Sequence, residues 1–252
     1  MPVVGLLGDV SWRLGWLAVP FLASVLASFA VARRRREATT EPATGTWRLL
    51  RTNPNVAGWA LGELLAFSAW AGTLVFAGAL FVESYQTSPG VTGLLLGLAA
   101  VAYLPGNFLA RRFIANWSRA MLAVLPLLAA VIVALLGGYR PAVGASAAIL
   151  SALAFVAAGR VIAGSALGLE LCSMRRVFAM RIRAAATQFG YLFGAVLGGA
   201  ALALWGYTGI GATFAVLFAL SAVPHAVAIG ADRRVSRPVP AGGQGVRSEI
   251  GH

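Results

Sequence analysis

The chain of 252 residues is 59% hydrophobic and 11% charged, with a mean hydropathy of +0.81, which excludes an ordinary soluble domain. Its net charge of +12 comes from arginine alone among the basic residues. These arginines cluster between apolar runs instead of lining one amphipathic face, a pattern of membrane topology that argues against a nucleic-acid partner. A single cysteine, Cys172, excludes an internal disulfide, and His225 and His252 form no cluster spaced for zinc or haem, so neither a metal nor a cofactor is expected.

A bilayer span needs about 20 apolar residues, and runs of that length are taken here in chain order. The first, Leu14–Ala32, follows Asp9 and Arg13 and precedes Arg33–Arg36. That charge order is the reverse of a secretory signal, so residues 1–36 read as a retained anchor helix. The polar segment Arg36–Thr46, "REATTEPATGT", reads as a linker within 37–55. Six further runs follow across 56–230: Val56–Val82, Val91–Ala110, Ala120–Leu136, Ala142–Leu171, Ala184–Trp205 and Ile210–Gly230. Turn residues separate three of their junctions, in "SPG" at Ser88–Gly90, "GGYRP" at Gly137–Pro141 and "GYTG" at Gly206–Gly209. Residues 231–252 read as a flexible tail. The runs are too long for barrel strands and show no alternation, so the fold class expected is an all-α polytopic bundle of about seven membrane helices.

Arginine placement orients that bundle. Arg33–Arg36, Arg48 and Arg51 follow the first helix, Arg111, Arg112 and Arg119 the third, Arg175, Arg176, Arg181 and Arg183 the fifth, and Arg233, Arg234, Arg237 and Arg247 lie in the tail. Only Arg13 and Arg140 lie on the opposite side. The positive-inside rule therefore places the N-terminus outside and the C-terminus in the cytoplasm of a cell's plasma membrane.

Within the spans, Gly190, Gly194 and Gly198, with Gly199 beside them, strip one face of the sixth helix for close helix packing. Gln188 and Tyr191 lie on the same helix and either face a substrate or bond between helices. Trp70 shares a helical face with Glu63 and either lines a cavity or packs. Ser165 and His225 reach comparable depths, as a serine hydrolase would require, but no third orienting group or G-x-S-x-G sequence accompanies them. Ser165 is expected to bond its own helix and His225 to satisfy backbone freed beside Pro224. Glu83 is a loop-edge residue, and Glu170 is expected to pair with Arg175 or Arg176 at the surface.

The order of these features resembles the major facilitator superfamily, in its drug and sugar efflux branch, from that family's sixth helix to its twelfth. "GDVSWRLGW" (Gly8–Trp16) looks like the entry to the sixth helix, "ARRRREATTEP" like the start of the central cytoplasmic loop, and "TWRLLRTNPN" (Thr46–Asn55) like the lead-in to the seventh. "GNFLARRFIANWSR", with Gly106, Arg111, Arg112 and Arg119, resembles the second copy of the family's Gly/Arg loop motif, Ala110 standing near the place of its usual aspartate. "RAAATQFGYLFGAVLGGAALALWG" (Arg183–Gly206) resembles the glycine-rich eleventh helix, without the proline of the equivalent motif. "RVIAGSALG", carrying Arg160, Gly164 and Gly168, is similar to a pattern of the fourth helix and is assigned as its echo on the tenth.

This resemblance implies secondary transport, as proton-coupled efflux of a small molecule, by a chain that lacks the family's first five helices. Its partners would then be the lipid bilayer, the substrate and protons, together with a missing N-terminal half or another copy of the chain. A membrane fragment without transport activity, or a half-transporter dependent on a partner, is the alternative of a different class. Arg160 is central to both, since a lone arginine near mid-helix costs about 2.5–3.5 kcal/mol to insert. The expected partner is Glu63, about 10 Å from the same membrane face, with Arg160 at about 16 Å. The competing reading has Arg160 snorkel to that face or bind carbonyls.

Overall fold

The computed structural model describes residues 23–25, 27, 51–173 and 176–235, and within them the side chains outside 114–119 and 228–235. Most of the expected first helix, residues 37–50 of the linker and residues 236–252 lie outside the described residues, as does Arg175, while the linker's last residues, expected to be irregular, already cap and begin a helix. Four α-helical stretches account for the core: α1 (Pro54–Tyr85), α2 (Pro89–Gly138), α3 (Val143–Leu171) and α4 (Arg176–Val235).

Their starts follow from the sequence. Asn53 caps α1, its side chain accepting from the backbone N–H groups of Asn55 (3.1 Å) and Val56 (3.3 Å), and Ser88 caps α2 by accepting from Val91 N–H at 3.4 Å. Pro54 and Pro89 then occupy the first helical position, where no N–H is needed. Gln86 ends α1 in the left-handed conformation at φ 53°, its N–H donating to Phe81 O.

Two of the four stretches double back. A Cβ built on Gly159 of α3 would lie 3.9 Å from Ala110 Cβ, 3.7 Å from Met121 Cε and 3.1 Å from Leu125 Cδ1. Ala110 and Leu125 would be about 22 Å apart along a straight helix, so α2 must reverse between them. Its two legs, Pro89–Phe113 and Ala120–Gly138, are each long and apolar enough to cross a membrane. In α4, Gly206 (φ 63°, ψ −155°) breaks the helix, and residues on both sides of it, Gly194 and Phe214, meet Gly72 of α1. Gly206 takes a backbone conformation that other residues rarely adopt.

The described residues therefore form six helical legs, matching six of the seven expected spans. They depart from the expected loops in two places. Helical turns continue through the arginine motif at 111–119 although α2 reverses between Ala110 and Leu125, and "GYTG" contributes a single non-helical residue before the helix resumes at Tyr207.

α1 packs chiefly on α4, and α2 on α3. The α1–α4 seam uses the glycines singled out in the sequence: a Cβ on Gly190 would meet Phe67 Cβ at 2.7 Å, one on Gly194 would run into Ser68 O, and one on Gly198 into Phe76 and Phe214. Gly199 corrects the sequence reading. One residue farther round the helix than Gly198, it turns away from α1, and a Cβ there would meet nothing within 4 Å. Gly106 packs on the backbone of Phe155 and the side chain of Ala158.

The outer surface is apolar. Phe108 is 84% exposed and Trp205 68%, and Leu94, Leu98, Val101 and Leu104 of α2 are also exposed. An apolar surface of this extent is compatible with lipid contact.

Candidate functional site

The site forms where α1, α3 and α4 come together in their arginine-bearing half. Glu63 lies about 14 Å along α1 from Pro54, and Arg160 about 16 Å before the end of α3. Arg183 lies about 10 Å into α4, and His225 about 15 Å before its far end. The reversal at Gly206 returns the second leg of α4 to this layer, so four ionisable side chains share one depth.

Small residues make the convergence possible. A Cβ on Gly164 would collide with the Glu63 carboxylate, and one on Gly62 would lie 2.6 Å from the His225 ring. Trp59, fully buried, donates its indole N–H to Gly164 O at 2.8 Å, and its ring fills the space left by Gly168. This bond fixes α3 against α1 one turn from Glu63.

Glu63 and Arg160 form a buried ion pair, the guanidinium Nη2 donating to Glu63 Oε1. Their side chains are 0% and 1% exposed. Arg160 thus points into the bundle, toward the partner expected from helix rise alone. The other two members were not anticipated. Arg183, assigned from sequence to a loop, lies inside α4 with its Nε 3.8 Å from Glu63 Oε2. His225, expected to satisfy backbone beside Pro224, instead places Nε2 3.5 Å from Glu63 Oε1.

Phe67, one turn from Glu63, sits beneath both arginines, with its centroid 5.0 Å from Arg160 Cζ and 5.7 Å from Arg183 Cζ. Glu63 is the one buried carboxylate among the described residues. It therefore faces two guanidinium charges, and the cluster keeps one positive charge over even with His225 neutral. Glu63 Oε2, the Nε atoms of Arg160 and Arg183, and both ring nitrogens of His225 are buried with no hydrogen-bond partner among the described residues. Such a cluster is electrostatically unfinished.

Beside it lies a cavity of about 320 Å³, lined by Trp70, Leu74, Leu96, Ala99, Ala100 and Tyr103. Trp70 stacks on Tyr103 with ring centroids 6.0 Å apart, so Trp70 both packs and lines the cavity. Trp70 lies three residues from Phe67 and seven from Glu63 on α1, which sets the cavity about 10 Å along that helix from the charged cluster.

The remaining sequence candidates fall elsewhere. Gln188 and Tyr191 are exposed on the surface of the described bundle. Arg111 and Arg112 are exposed on α2, and the side chain of Arg119 lies outside the described ones. Ser165 donates to Val161 O at 2.6 Å within its own helix, while His225 faces Glu63. Glu83 accepts a hydrogen bond from Tyr207 at 2.7 Å, a partner its place at a loop edge did not suggest. Among the described residues no group of His, Cys, Asp and Glu is arranged to hold a metal ion.

No protein-family model matches the chain, and no curated protein matches it.

Proposed function

We propose that this chain is a secondary transporter of the major facilitator type that exports a small molecule in exchange for protons, with its arginine-rich face toward the cytoplasm and the described legs forming its C-terminal half. The observation that carries this reading is the Glu63–Arg160–Arg183–His225 cluster, buried in apolar helices. Charges at such depth are costly, and replacing a buried ion pair with packed apolar residues is often neutral or stabilising. Their presence therefore points to work on an ion or substrate.

Glu63 is the proton-exchanging group in this reading. Ionised, it holds Arg160, and Arg183 and His225 lie against it. Protonated, it has no charge to hold either guanidinium. A proton arriving at Glu63 thus frees positive charge inside the bundle, and its departure recaptures it. His225, at 3.5 Å, is placed to pass that proton.

Expression in a bacterial host stripped of its own efflux pumps tests the proposal. At least one compound in a panel of toxic small molecules should be tolerated at several-fold higher concentration, and a proton uncoupler should abolish that tolerance. Glu63→Gln, at equal amounts in the membrane, should abolish it too. Tolerance indifferent to the uncoupler would refute proton coupling. No tolerance to any compound would favour the membrane fragment without transport activity.

A further inference from the structure

We infer that the cluster and the adjoining cavity form a binding site for a small organic monoanion, a carboxylate carried on an aromatic or aliphatic body. This inference takes its direction of movement from the transporter reading above, but binding itself does not depend on it. Its first basis is charge. Two arginines surround one buried carboxylate, and the surplus positive charge has no second buried carboxylate to balance it among the described residues. A monoanion neutralises that surplus, whereas a dianion would overturn it. Its second basis is unused donors. Arg160 Nε and the ring nitrogens of His225, one of which carries a proton in the neutral ring, belong to side chains at most 1% exposed and have no hydrogen-bond partner among the described residues. A carboxylate accepts such bonds well, and an arginine fork matches its geometry.

The third basis is the shape of the neighbouring space. Phe67 carries both guanidinium groups over its ring, and Trp70, one turn along α1, opens onto the cavity of about 320 Å³. Its lining is aliphatic and aromatic apart from the indole N–H and the Tyr103 hydroxyl. At about 30 Å³ per water in the liquid, this volume suits a body of on the order of ten non-hydrogen atoms. The site therefore has a cationic pole for the carboxylate and a stacking chamber for the rest.

Benzoate is a suitable probe, with benzamide as its neutral isostere. The full chain, purified in neutral detergent, is examined by equilibrium dialysis with each radiolabelled compound. Benzoate should bind saturably and benzamide at least tenfold more weakly. Arg183→Gln should weaken benzoate at least tenfold with unchanged elution volume and helical circular dichroism, because Arg183 is 23% exposed and its loss leaves the Glu63–Arg160 pair in place. Trp70→Ala should weaken benzoate and benzamide alike, since it removes the stacking wall.

Equal binding of benzoate and benzamide would overturn the inference, as would unchanged binding by the Arg183 variant. Nanodiscs of phosphatidylcholine and of phosphatidylglycerol distinguish a soluble anion from a lipid headgroup. Loss of benzoate binding in the anionic lipid alone would assign the site to lipid and overturn it. Saturable benzoate binding without uncoupler-sensitive efflux would sink the transporter reading and leave this site standing. Uncoupler-sensitive efflux with no preference for the anion would do the reverse.

Discussion

Two glutamates on α1 meet opposite surroundings. Glu63 is fully buried among Arg160, Arg183 and His225, whereas Glu83, near the other end of the helix, is exposed and accepts one hydrogen bond from Tyr207. The same carboxylate is an essential counter-charge in one layer and an ornament of the surface in the other. Desolvation makes the difference: water stabilises Glu83 whether or not Tyr207 is present, but nothing except protein can stabilise Arg160 once it is buried.

The largest test of that contrast is Glu63→Gln. The substitution keeps the shape of the side chain and removes its charge, leaving Arg160 buried without a counter-ion. Breaking a buried pair on one side costs about 3–5 kcal/mol. Unfolding of the full chain in mixed micelles should show a loss of that order for Glu63→Gln and a small fraction of it for Glu83→Gln. Equal effects would mean that water reaches Glu63 freely and that the two layers do not differ in the way described.

A smaller change sharpens the same contrast through glycine. Gly164→Ala places a methyl group on the Glu63 carboxylate and must displace it from Arg160. Overpacking of this kind costs about 1–3 kcal/mol. Gly199→Ala, toward the opposite end of the bundle, meets open space and should gain about 0.5–1 kcal/mol from better helix propensity. Opposite signs in the same unfolding measurement are expected. A loss at both positions would show that Gly199 also lies in a tight seam.

How far the sequence foretells this arrangement depends on what each residue's position rests on. The six described legs are legible because apolar run length and turn residues alone set them, and counting helical rise from Val56 and Leu171 already brings Glu63 and Arg160 to similar depths. Arg183 and His225 escape that reasoning. Arg183 follows Arg175, Arg176 and Arg181, so it reads as surface charge, and only the helical phase of α4 turns it toward Glu63. His225 depends on the reversal at Gly206, which brings the second leg of α4 back against α1. A signal does exist in Gly62 and Gly164, whose missing side chains make room for the His225 ring and the Glu63 carboxylate, but small residues in a membrane helix do not reveal which neighbour fills the space. Gly199 shows the same limit, since its spacing beside Gly198 suggests packing while its direction opposes it.

The smallest expected effect belongs to Tyr207→Phe. The Tyr207 hydroxyl donates to Glu83 Oε2 at 2.7 Å, and Arg140 Cζ stands 5.7 Å from the centroid of the tyrosine ring. Phenylalanine removes the donor but keeps the ring, so the cation–π contact survives. Glu83 is exposed and returns its freed oxygen to water, leaving no buried acceptor unsatisfied. The loss should therefore be about 1 kcal/mol or less, the net value of a single hydrogen bond. Unfolding in the same micelles measures it, with Glu83→Ala as companion, which removes the acceptor: if the hydrogen bond is all that links the two residues, the double variant should lose no more than the larger single one. A loss for Tyr207→Phe as large as that for Glu63→Gln would mean that this end of the bundle is held by buried polar contacts after all, and the distinction between the two layers would collapse.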